Sequence, residues 1–172
     1  MKHFKYEFVL AASPTRVFAW HNEPHAFPRL VPPWMPVQIL RMPTSLQNDA
    51  LVVLRLGLPG VLRRFPIGPL WVLELSDVTT TTALTPGEAA ASAASGAGFK
   101  DTQVAGPYVY WQHHHQFLPV PGQPRACLIR EEIRYALPLG WLGEFVAGGF
   151  MRALLMALFR HREKILRRWL EA

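Results

Sequence analysis

The sequence predicts an α+β domain. One strongly curved antiparallel sheet of about six to seven strands wraps round a single long C-terminal helix, with two short helices directly after the first strand. Three observations carry this prediction. A strand-like alternation opens the chain and a proline-initiated helix follows it at once. Segments of β-branched and apolar residues between turn signals fill the middle, and an unbroken helical periodicity from Trp141 to Leu170 closes the sequence. At about 1.5 Å per residue such a helix spans roughly 45 Å and can cross the whole face of a sheet. Helix and bent sheet are not expected to meet along their full length, and the gap between them is a cavity.

Each element has its own warrant. Lys2 to Leu10 alternates, with Phe4, Tyr6 and Phe8 on one side, and reads as the first strand. Ser13-Pro14 starts a helix, with Ser as N-cap and Pro at the first helical position. Val17, Phe18 and Trp20 follow at helical spacing, and Pro24 stops the run. Pro24 to Leu30 gives a second short helix, ended by Pro32-Pro33. From Trp34 the pattern is β: Met35 to Met42, Ala50 to Leu56 and Ile67 to Leu75 are strands. Thr85 to Gly98, rich in Ala, Ser and Gly, reads as a flexible loop or marginal helix, too polar and small for core.

Three further strands are expected at Phe99 to Ala105, Tyr108 to Leu118 and Arg125 to Leu137, separated by Gly106-Pro107 and by Pro119 to Pro124. In the final helix, Val146, Phe150, Leu154 and Leu158 form one i, i+4 row. Ala153, Ala157, His161, Ile165 and Trp169 form the next. Gly148-Gly149 marks a place for a kink or a close approach.

At about 150 residues per domain, the 172 residues make one domain over 1–172. Half are hydrophobic and only 17% charged, which excludes a disordered chain. The net charge is +6, much of it in Arg160-His161-Arg162-Glu163-Lys164 and Arg167-Arg168. There the cations complement the dipole of a solvated helix end. No nucleic-acid-binding motif accompanies them, so nucleic acid is not an expected partner. The single cysteine, Cys127, cannot form an internal disulfide, and the N-terminal residues lack an apolar signal-peptide core, so a cytoplasmic location is expected. Gly140 to Phe159 is apolar apart from Glu144 and Arg152 and precedes a basic run, as a membrane span would. Two charges near its middle favour a buried amphipathic helix instead.

Chemistry should show as polar groups where the strand pattern demands apolar ones. Side chains alternate along Tyr108 to Leu118, so Trp111, His113, His115 and Phe117 share a face that Trp and Phe mark as inward. In the next strand Cys127, Ile129, Glu131, Ile133 and Tyr135 share a face, opposite the wet row of Arg130, Glu132 and Arg134. Phe99, Asp101 and Gln103 share a third. The interior therefore holds two imidazoles and two carboxylates on neighbouring strands. Carboxylates are costly to bury unpaired. Four readings stand: a structural network, recognition of the oxygenated end of an apolar ligand, a proton-transfer pair, and a metal site. His-x-His is short and weakly specific for the last. His21, His25 and His161 lack comparable spacing and read as surface or helix-packing residues. No phosphate-cradling loop or G-x-S-x-G is present.

Several segments give the chain a family resemblance. These are Pro32-Pro33-Trp34, Phe99-x-Asp101-x-Gln103-x-x-Gly106-Pro107-Tyr108, Trp111-x-His113-x-His115-x-Phe117, Glu131-x-x-x-Tyr135-x-Leu137-Pro138-x-Gly140 and Phe159-Arg160-His161. With the element order, they resemble the START-like ligand-binding superfamily. That group includes the birch-pollen-allergen-like, polyketide cyclase/dehydrase and coenzyme Q-binding START proteins. The likeness covers nearly the whole chain and is strongest to a bacterial branch. It implies a helix-grip fold, a cavity, and a hydrophobic ligand such as a lipid, quinone, sterol or polyketide. The Thr85 to Gly98 stretch departs from the family core.

The first functional expectation is therefore binding of an apolar small molecule, without cofactor or metal. Trp34, Trp111, Tyr135 and Phe150 would line the cavity, and Asp101, His113, His115 and Glu131 would orient a polar head. The alternative is a cyclase or dehydratase with His113 and Glu131 as acid and base. Membrane contact through the basic helix end, and a homodimer, stay open.

Overall fold

The computed structural model describes residues 1–57, 68–80, 96–138 and 140–171, with backbone only over 140–148. Strand β1 (Lys2–Leu10) puts Phe4, Phe8 and Leu10 inward and Lys5 and Val9 outward. Helix α1 (Pro14–His21) begins as the sequence indicates: the Arg16 amide donates to Ser13 Oγ at 3.3 Å, and Pro14 occupies the first turn. Its Val17, Phe18 and Trp20 are buried. Helix α2 (Ala26–Leu30) buries Ala26 and Leu30. Strands β2 (Val37–Arg41), β3 (Leu51–Leu56), β4 (Leu70–Thr79), β5 (Ala97–Ala105), β6 (Tyr110–Val120) and β7 (Gln123–Ala136) follow, and helix α3 (Gly140–Leu170) ends the fold.

All seven strands form one antiparallel sheet in the order β1-β7-β6-β5-β4-β3-β2. Consecutive strands pair as neighbours from β2 to β7, and β1 then joins the far side of β7, Phe8 opposite Ile129. Helix α3 is tied to that side: Tyr6 donates its hydroxyl to Glu163 at 2.5 Å, and the Ala11 amide donates to Glu171 at 3.0 Å. This is the expected α+β helix-grip arrangement. No helix among the described residues is long and apolar enough to cross a membrane.

Three sequence expectations need correction. First, the strand expected from Phe99 starts at Ala97, and Ala97 is 4% exposed within the core cluster, although its segment was expected to be too small for core. Gly98 lets β5 lie close to β6; an added Cβ would stand 2.3 Å from the His115 carbonyl oxygen. Residues 85–95 lie outside the described residues.

Second, the loop expected from Pro119 to Pro124 shrinks to a hairpin turn. Val120 pairs with Gln123, and Pro121-Gly122 forms the tip, with Gly122 at φ +75°. Pro119 joins β6 beside a register shift, which accommodates its missing N–H.

Third, the buried stripe of α3 runs Met151, Leu155, Leu158-Phe159, Leu166, Leu170, sharing only Leu158 with the expected rows, whose Leu154 and Ile165 are half-buried against the core. Ala153 and Ala157 are exposed, because a row of alanines buries far less apolar area than one of leucine and phenylalanine. Phe150 is left 68% exposed. Gly149 faces open space rather than a close neighbour.

Candidate functional site

Pairing across the three central strands builds the polar cluster. On β6, His113 lies opposite Asp101 of β5, and His115 lies opposite Glu131 of β7. Alternation turns all four inward, and each is less than a tenth exposed. His113 Nε2–H donates to Glu131 Oε2 at 2.8 Å, and His115 Nε2–H donates to Asp101 Oδ2 at 3.2 Å. The other ring nitrogens complete a square of close approaches: His113 Nδ1 is 3.3 Å from Asp101 Oδ2, and His115 Nδ1 is 2.8 Å from Glu131 Oε2. The His115 Nδ1 contact lies off the N–H axis, so it acts as an ion pair without a hydrogen bond. Trp111 Nε1–H donates to Asp101 Oδ1 at 3.2 Å. Phe99 stacks on the His115 ring, with centroids 4.1 Å apart.

This geometry fixes the charges. Burial alone would push the Asp101 carboxyl up, but the charge and hydrogen bonds of His113 and His115 override it and hold it below its ordinary value. Glu131 behaves alike: burial raises it, and the two imidazoles bring it well below 4.5. For His115, burial favours the neutral ring, yet Glu131 and Asp101 raise its pKa to about 9. At neutral pH two carboxylates therefore face a protonated His115.

A cavity of about 320 Å³ opens over this cluster, between the sheet and α3. Most of its wall is aliphatic and aromatic, including Leu30, Leu54, Leu73, Trp111 and Leu155. Asp101, His113 and His115 face it, while Glu131 and Tyr135 are buried but not on its wall. Trp34 and Phe150 were expected to line it and do not. Trp34 is 47% exposed just before β2, and Phe150 sits on the outer face of α3. Asp101, His113 and His115 offer ligand atoms within 4.8 Å of one another, donor types that a divalent ion takes. In this structure those atoms are spent on one another and on Glu131.

Two wall residues escaped the sequence reading. His21 ends α1 one turn after Val17, and its Nδ1–H donates to the Val17 carbonyl at 2.8 Å while the ring packs on Phe117. Burial brings its pKa down to about 4, so the ring is neutral. The i, i+4 spacing from buried Val17 was the available signal. Arg162 was read as part of a solvated basic run, yet it lies on the cavity wall, with its guanidinium carbon 5.3 Å from the Phe159 ring centroid. His25 is exposed and His161 half-buried, as expected.

No protein-family model matches the chain, and no curated protein matches it by sequence. Solved structures do match its fold. A START superfamily protein from Mycobacterium smegmatis is 14% identical with a TM-score of 0.54, over 98% of this chain and 97% of the other. Norcoclaurine synthase from Thalictrum flavum is 15% identical with a TM-score of 0.59, over 99% of this chain and 87% of the enzyme. A nucleoside-diphosphate sugar epimerase from Corynebacterium glutamicum is 19% identical with a TM-score of 0.62. That match covers 96% of this chain but only 28% of the epimerase. The chain therefore has the helix-grip fold of START and norcoclaurine synthase structures, as its sequence motifs implied.

Proposed function

We propose that the protein binds an apolar small molecule in this cavity, with Asp101, His113 and His115 at the ligand's polar end. The observation that carries the reading is a 320 Å³ space walled mainly by aliphatic and aromatic side chains and floored by convergent polar groups. The same fold in norcoclaurine synthase has been seen in complex with dopamine and hydroxybenzaldehyde, which supports a small-molecule site by analogy of fold alone.

The charge state of the cluster favours binding over proton transfer. A general acid or base works best with a pKa near the working pH. Here Asp101 and Glu131 are held too acidic to be strong bases, and His115, at about 9, holds its proton. Glu131, the carboxylate of the expected acid–base pair, is 2.8 Å from His113 but off the cavity wall.

Native mass spectrometry followed by solvent extraction tests the proposal, together with titration by the neutral apolar fluorophore N-phenylnaphthylamine. A co-purifying apolar mass, or saturable one-to-one fluorophore binding, is expected. An empty protein that also fails to bind the fluorophore overturns it.

A further inference from the structure

Arg162, half-buried, falls in line with the buried stripe of α3 between Leu158 and Leu166, and is the one Lys or Arg on the cavity wall among the described residues. Its Nε is sealed from solvent and has no hydrogen-bond partner. No described residue forms a hydrogen bond or ion pair with the guanidinium; its contact is the face of Phe159. Nearby anions do not satisfy it. The carboxylates of Glu131 and Asp101 act on it through space, but both are already committed to His113 and His115. Arg167, on the same helix, is paired: it meets Glu163 and Glu171, each at 2.8 Å. Arg162 as a whole is half-buried, but a sealed Nε without an acceptor is costly, and the planar fork of donors matches a carboxylate.

We propose that the cavity's ligand is an amphiphile bearing a carboxylate, which pairs with Arg162 while its apolar body lies against the aliphatic wall. This rests on the cavity being a binding site, as proposed above, and it adds the ligand's chemical class. Charge counting favours a singly charged head. Arg162 is the one Lys or Arg on the wall among the described residues, and a doubly charged group would carry its second charge towards the Asp101 and Glu131 carboxylates.

The test is displacement of N-phenylnaphthylamine by decanoate and by its methyl ester, in wild type, Arg162→Met and Arg162→Lys. In wild type decanoate is expected to bind about ten- to a hundredfold more tightly than the ester, the range for a charge-assisted pair. Arg162→Met should bring that ratio close to one while ester binding persists, and Arg162→Lys should keep part of it. Melting temperature provides a second readout. Removing a half-buried guanidinium whose sealed Nε has no acceptor should leave it unchanged or raise it.

Equal affinities for acid and ester in wild type overturn the proposal and leave the cavity reading standing. So does a preference that survives in Arg162→Met. A large fall in melting temperature of Arg162→Met, with ester binding lost, assigns Arg162 to the fold and likewise overturns it. If wild type binds neither fluorophore nor amphiphile, the cavity reading itself has failed.

Discussion

His115 is held between two carboxylates, and its titration links the site to stability. Its folded pKa of about 9 lies above the ordinary 6.5, so the folded state holds the proton more tightly. The stability this contributes is complete below pH 6.5 and drains away as pH rises through about 9. Asp101 and Glu131 are shifted the other way, so their contribution is present above their ordinary values and is lost as pH falls below them. His21, brought down to about 4, also costs stability as pH drops from 6.5, because the unfolded chain takes up a proton that the buried ring refuses. Melting temperature should peak between about pH 6 and 7 and fall on both sides. In His115→Gln the fall between neutral pH and pH 9 should flatten, with stability lower throughout. Glu131→Gln, which strips one anion from a buried pair, should cost roughly 3 kcal/mol in urea unfolding.

Along single elements, the strands were legible and the last helix only in part. Trp111, His113, His115 and Phe117 could be placed inward because a strand alternates strictly, and two aromatics in the row fix its phase. A helix has no such parity: a shift of one residue moves a row by about a quarter-turn, and several apolar rows compete. Arg162 was lost for that reason. Along Met151, Leu155, Leu158 and Leu166 it stands out as a polar residue on an apolar face, the same signal that exposed His113. Composition instead assigned it to the solvated run around it. Trp34 misled differently, since an aromatic beside two prolines carries no face at all. Gly98 shows what element-level packing demands. With backbone 2.3 Å from where its Cβ would be, Gly98→Ala should push β5 from β6 beside His115 and cost about 1–3 kcal/mol by chemical denaturation.

At the scale of the molecule, the cavity is what the sheet and α3 leave between them, and filling it should separate binding from folding. Leu154 lines the space and is only partly buried, so Leu154→Trp has room to enter it. The variant is expected to keep its far-ultraviolet circular dichroism and lose fluorophore binding. The number of strands and their order of appearance could be read from turn signals; which strand joins β1 could not, because edge pairing leaves no local mark.

That pairing has a consequence in time. Strands β2 to β7 each find a partner next in sequence, whereas Leu10 waits for Cys127 and Lys2 for Tyr135. Contacts so distant along the chain slow folding, because a large loop must close before they return any stabilisation. On a ribosome adding about 5–20 residues per second, the earliest strand made is the latest secured, after a delay on the order of ten seconds. During that interval Phe4, Phe8 and Leu10 form an unpaired apolar ribbon, the segment of the nascent chain most in need of a chaperone's shelter.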